Sequence, residues 1–187
     1  MICSARKALA EGVLICMGCI VYLKVGGVAG AVLFSAGLWF VVNFDAELFT
    51  GRVTRADYSP VQKLIMLLMN VGGAFACGLL AALCLPDIAP TAQVMMDGLA
   101  TQSPLALLWK AAMCGVCMYL ATTKVGDVSR LPFVVYGVVL FILSGYGHSI
   151  AIAGYAAIAG RIAWWILPVA AAGNAAGSYA IKWLLKK

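Results

Sequence analysis

The chain has 187 residues, 64% of them hydrophobic and only 11% charged, with a formal net charge of +6. A soluble domain averages about 45–50% apolar and about 25% charged residues, so a soluble globular protein is excluded and little chain remains outside a bilayer. The excess positive charge reads as orienting charge on membrane loops, not as a nucleic-acid surface.

A membrane span needs roughly 20 apolar residues, so six spans with short loops fill the chain as a single channel domain, 1–187. The first span is expected at Ala8 to Leu23. Only seven residues precede it and no small-residue cleavage site follows, so it reads as an uncleaved span and not a signal peptide. Lys24-Val25-Gly26-Gly27 is a very short turn. The second run, Val28 to Phe44, ends in a segment holding Asp45, Glu47, Thr50 and Arg52, polar enough to suggest an interrupted helix. Thr54 to Gln62 reads as a polar loop containing Pro60, and Lys63 to Leu85 as the third span. Pro86 to Pro104 reads as a polar loop bracketed by prolines. The fourth span is expected at Leu105 to Thr122, followed by the loop Thr123 to Arg130.

The run Leu131 to Gly160 carries the chain's one histidine, His148, in Ser144-Gly145-Tyr146-Gly147-His148-Ser149-Ile150-Ala151. Glycine weakens a helix, and non-helical backbone at membrane depth survives only where it lines a cavity or is buried in protein. The stretch therefore reads as part of a pore. Ala163 to Leu185 is the sixth span, closed by Lys186-Lys187.

With both termini cytoplasmic, the inner side carries Arg6, Lys7, Arg52, Arg55, Lys63, Lys124, Arg130, Lys182, Lys186 and Lys187. The outer side then carries Lys24, Lys110 and Arg161, the asymmetry expected of that orientation. The seven cysteines include Cys16-x-x-Cys19 and Cys114-x-x-Cys117, but no second polar ligand accompanies either pair, so they read as packing residues and no metal or other cofactor is expected. Trp39, Trp109, Trp164, Trp165 and Trp183 fall near span ends, as an interfacial belt does.

A repeat is also visible. Spans one to three hold a broken second element, then Asn70-Val71-Gly72-Gly73. Spans four to six hold a broken fifth element, then Gly173-Asn174-Ala175-Ala176-Gly177. Halves of three spans have opposite orientation, and paired broken helices of that kind place a site near the midplane. The glycines in spans three and six suit close helix approach.

Phe34-Ser35-Ala36-Gly37-Leu38 followed by Ala46-Glu47-Leu48-Phe49-Thr50-Gly51 resembles the second-helix signature of the formate/nitrite transporter family. Residues Ser144 to Ala151 resemble its fifth-helix signature, and Leu167-Pro168-Val169 with Gly173-Asn174 its sixth. The resemblance covers nearly the whole chain. It implies an all-α, aquaporin-like protomer of six transmembrane helices in an inverted 3+3 repeat with broken second and fifth helices. It also implies a homo-oligomer, a pentamer with one pore per protomer, in the inner (plasma) membrane. Members pass small monovalent anions such as formate, nitrite or hydrosulfide, often with a proton. Residue by residue it implies pore roles for His148 and Thr50, and apolar constrictions at Phe34, Leu38, Leu48, Phe49 and Phe141. The chain departs from the family at Gly147, where an acid is usual, at Gly115 and Ile152, where asparagines are, and at Arg52. The lysine usual just before the fourth helix has no counterpart between Thr91 and Trp109.

A bare anion in a low-dielectric constriction faces a desolvation cost of several kcal/mol. Helix dipoles with free N–H groups, the Thr50 hydroxyl and a proton from His148 are candidate compensations. The residues leave other roles open. His148 also fits an interior hydrogen bond, and Thr50 a helix cap. Asp45 and Glu47 suit capping or pairing with Arg52 or Arg55. Arg52 and Lys110 are candidate anion attractors, Lys110 also suiting a snorkelling role. Rival functions are a channel for a small neutral solute and a non-conducting membrane scaffold. An enzyme is not expected: the sequence shows no metal cluster, no nucleophile–base pair and no phosphate-cradling loop.

Overall fold

The computed structural model describes residues 3–123 and 129–186. Lys124 and Lys187, both counted above among the inner cations, lie outside them. The described residues form nine α-helices: α1 (Ala5–Val25), α2 (Gly27–Asn43), α3 (Phe49–Arg52), α4 (Pro60–Cys84), α5 (Ala89–Ala100), α6 (Pro104–Thr122), α7 (Leu131–Leu143), α8 (Ser149–Ala159) and α9 (Ile166–Leu184). Three of them, α1, α4 and α6, are long and apolar enough to cross a membrane by length and composition. The shorter apolar helices are α2, α7 and α8.

Local chemistry sets the ends. Ser4 caps α1 through its side chain, which accepts from the Lys7 amide. The α1–α2 turn is made at Gly26 and Gly27, with φ of 66° and 54°, a region open to glycine and costly for other residues. Ser59 and Gln62 form a reciprocal capping box, with Pro60 in the first turn. That box starts α4 three residues before the expected Lys63 and shortens the loop expected to run to Gln62. Ser103 followed by Pro104 opens α6 in a similar way.

The segment from Pro86 to Pro104 is not a loop throughout. After a 3-10 turn at Pro86–Ile88 it forms α5, which packs on α8. Ile88, Ala92 and Met96 recur every fourth residue and are all buried, so one stripe of the segment is apolar enough to hold it down. Lys24 pairs with Asp87, and Arg161 with Asp97 at 3.0 Å, which ties both ends of the segment to the bundle.

Two helix crossings are very tight. A Cβ added at Gly12 would lie 2.1 Å from the Asn70 carbonyl oxygen, and one at Gly73 would lie 2.1 Å from that of Leu9. Between α6 and α9, a Cβ at Gly115 would lie 2.1 Å from the Asn174 carbonyl oxygen and one at Gly177 1.8 Å from that of Ala112. The glycine clusters in α4 and α9 thus let two backbones touch. Gly115, which the resemblance aligned with a polar pore residue, is a crossing point with no room for any side chain.

Candidate functional site: two cavities and an apolar septum

Between α2 and α3, and again between α7 and α8, five residues leave the helical path: 44–48 and 144–148. The two stretches close alike. The Ala46 amide donates to the Val41 carbonyl at 3.0 Å, and the Tyr146 amide donates to that of Phe141 at 2.9 Å. Asp45 has φ 49° where Gly145 has φ 66°. Asp45 tolerates this left-handed position because short polar side chains bond locally there, and here it also pairs with Arg52.

An asparagine fastens each stretch. The Asn70 side chain accepts from the Phe49 amide at 2.7 Å and donates to the carbonyls of Glu47 and Ala8, both at 2.8 Å. Asn174 accepts from the Ser149 amide at 2.9 Å and donates to the carbonyls of Gly147 and Ala111, at 2.8 and 2.9 Å. Both asparagines are fully buried. The sequence marks these segments as repeat elements whose glycines suit packing, and gives the asparagines no latching role; the signal for it is one amide side chain within each apolar span. The first amide of each helix after a break, Phe49 in α3 and Ser149 in α8, is thus engaged and does not point freely at a passing anion.

His148 is 2% exposed. Its Nδ1 accepts from the Ala151 amide at 3.1 Å, so the ring caps α8, and Nε2 lies 2.9 Å from Thr50 Oγ1. With Nδ1 accepting, a neutral ring carries its proton on Nε2 and donates it to Thr50. The Thr50 hydroxyl proton is then free to point elsewhere. His148 stacks on Phe141 at 5.5 Å, and Phe141 meets Phe34 edge-on at 5.9 Å. Phe34, Leu38, Leu48 and Phe141 belong to one buried apolar cluster. Phe49 does not join it: its ring packs with Val53, Tyr58 and Met66 in a separate cluster.

Two cavities approach this septum. One, of about 360 Å³, is lined by Leu48, Arg52, Arg55, Tyr119, Arg130 and Lys182 among others. The second, of about 290 Å³, includes Gln102, Lys110, Phe141, Tyr146, His148 and Tyr155. On α6, Lys110 faces one cavity and Tyr119 the other. Nine residues at 1.5 Å separate them by about 14 Å, so the cavities lie at opposite ends of α6. Leu48 borders the first and His148 the second.

The charges around the cavities differ in how they are held. Arg52 pairs with Asp45 and donates to the Tyr58 hydroxyl at 2.9 Å. Arg55 bonds Asp57 at 2.8 and 3.1 Å, which holds the Asp57 carboxyl below the usual carboxylate range. Glu47 accepts from the Ser4 amide at 2.9 Å. Of the three cations assigned to the outer side, Lys24 and Arg161 are paired. Lys110 has no ion pair or hydrogen bond among the described residues. Ile152 and Gly147 line the second cavity with no polar side chain. Glu11, which sequence reading passed over, is 0% exposed inside α1; the signal was an acid in an apolar run.

Solved channel structures share this fold. The structure of a pentameric formate channel with formate bound matches with a TM-score of 0.80 at 17% identity, over 95% of this chain and 92% of that one. An "FNT family ion channel" matches with a TM-score of 0.80 at 20% identity, over 98% and 90%. No family model and no curated protein matches the chain by sequence.

Proposed function

We propose that the chain is a membrane channel of the formate/nitrite type, conducting a small monovalent anion or its conjugate weak acid. The observation that carries the reading is the septum. Two cavities at opposite ends of α6 are separated by Phe34, Leu38, Leu48 and Phe141, with the His148–Thr50 pair beside them. The likeness of fold to two channels supports it. One neighbour is a pentameric formate channel with formate bound; we extend both the solute and the assembly to this chain.

The halves act as an inverted 3+3 repeat with broken second and fifth helices. Supporting this, α2 runs toward the first cavity, while α7 starts there at Arg130 and ends at the second with Phe141. The matched asparagine bonds fit the same symmetry. The charge bias of the loops supports an orientation with both termini on the cytoplasmic side, in the inner membrane.

Lys110 attracts the anion into the second cavity. At the septum an anion meets low dielectric, where crossing bare costs several kcal/mol. Taking a proton from His148 lets the solute pass the rings neutral. The geometry sets a condition on this step. A cationic ring carries protons on both nitrogens, so it must first release the Ala151 amide from Nδ1. The relay therefore couples proton transfer to a turn of the ring and a loosened α8 cap.

The test is flux in proteoliposomes with formate, nitrite, hydrosulfide and acetate at several pH values, recorded with membrane current. Formate-size solutes are expected to pass and acetate to lag. Absence of flux for all four sinks the channel reading. Unchanged rate and pH dependence in His148→Gln sinks the relay alone.

A further inference from the structure

Glu11 lies two turns inside α1 and is fully buried, and neither side-chain oxygen has a hydrogen-bond partner among the described residues. Its direction follows from its helix. Residues seven apart on an α-helix differ by only about 20°, so Ser4, Glu11 and Gly18 share one face. At one end of that face the Ser4 amide bonds Glu47 of the first break. At the other, a Cβ added to Gly18 would sit 3.0 Å from the Phe34 ring. Glu11 stands between them, alongside the septum.

Among the described residues no charge reaches it. On its own helix Lys7 is exposed, and Cys16 and Cys19 border Gly154. Helix α2 has no ionisable residue. In the break, Asp45 is bound to Arg52 and Glu47 to the Ser4 amide. On α4, Lys63 donates to the Tyr179 hydroxyl at the far end, and Cys77 is partly buried near the other. On α8, Tyr155 lines the second cavity and His148 is held by Thr50 and Ala151. An ionised carboxylate without cation or donor costs several kcal/mol in such surroundings. The neutral acid is the form that suits the site.

We propose that Glu11 is a proton-binding site of the membrane interior, and that its proton must be in place for conduction. The second clause rests on the channel reading; the first does not. Ionised, Glu11 draws water and a counter-charge to the first break and disturbs the packing of Leu48 and Phe34. Protonated, it leaves the septum intact. Proton occupancy at Glu11 thus switches the path, with the proton exchanged with bulk solvent.

The chain holds only two glutamates, Glu11 and Glu47, which makes an infrared test clean. With ¹³C-glutamate labelling, the parent in lipid is expected to show a protonated-carboxyl band at neutral pH that shifts in D₂O. Glu47→Gln should keep the band and Glu11→Gln should lose it. In proteoliposomes, Glu11→Gln should retain a larger share of its flux at alkaline pH than the parent does. If Glu11→Gln fails to assemble, the Glu47→Gln spectrum alone decides the proton site. A labelled spectrum without the band overturns the proposal. A Glu11→Gln flux profile superimposable on that of the parent overturns the switch. A band in a parent without flux upholds the proton site and defeats both the switch and the channel reading.

Discussion

Replacing Asn174 by leucine, a side chain of similar reach, removes three hydrogen bonds from the centre of the protein. They are not equivalent. The Ala111 carbonyl lies inside α6 and keeps its helical partner. The Ser149 amide and the Gly147 carbonyl have no other hydrogen bond among the described residues. An orphaned buried group costs about 1–3 kcal/mol, while hydrogen bonds measured inside membrane proteins average about 0.6 kcal/mol. Two orphaned groups therefore destabilise by about 3 kcal/mol. For a chain of this length, about 2–4 °C of melting temperature accompanies each kcal/mol, giving a fall of about 6–12 °C. Thermal unfolding in detergent, followed by loss of the native oligomer, measures it. Asn70→Leu should fall equally, since its Phe49 and Glu47 partners are likewise single. A shift below about 2 °C in both variants would refute the idea that the amides hold the breaks closed.

Thr50→Val leaves the His148 Nε2–H without its acceptor, so the variant should lose about 1–3 kcal/mol of stability, read in the same melts, and its formate flux by stopped flow should change its pH dependence. Phe34→Ala combined with Phe141→Ala removes the edge-on ring pair and should raise acetate flux several-fold relative to formate; an unchanged ratio places the selective step elsewhere. Lys110→Gln should slow flux several-fold at low salt, and less near 0.15 M, where screening acts over about 8 Å. The depressed carboxyl of Asp57 predicts the sign of one pH effect. Its bond to Arg55 contributes at neutral pH and is lost as pH falls through and below the carboxylate range, so Asp57→Asn should lower stability only at the higher pH, seen in melts at both.

The spans were legible because hydropathy reports burial in lipid or protein without any knowledge of neighbours. Val28 to Phe44 and Leu105 to Thr122 match α2 and α6 to within a residue at each end. The candidate pair His148 and Thr50 lie 98 residues apart, and no local pattern joins them; only their place in two similar polar interruptions pointed to a meeting. What the sequence hid depends on long-range geometry. A segment bracketed by prolines concealed α5, because its stripe of Ile88, Ala92 and Met96 is short and gains its stability by packing on α8. Gly115 looked like a vacated polar site, and only the approach of α9 shows it to be a crossing point. Phe49 follows Leu48 directly, yet as the first residue of α3 it sends its ring to a different cluster.

The fastening of each interruption has a consequence for biogenesis. Every partner of Asn70 lies between residues 8 and 49, so the first re-entrant loop can be locked as soon as α4 leaves the ribosome. The second waits for Asn174, near the last turns of the chain, although its other partners start at Ala111. Synthesis stalled after α4 should thus yield a half whose loop is already set, whereas a nascent chain stalled before α9 keeps the histidine segment unlatched in the translocon.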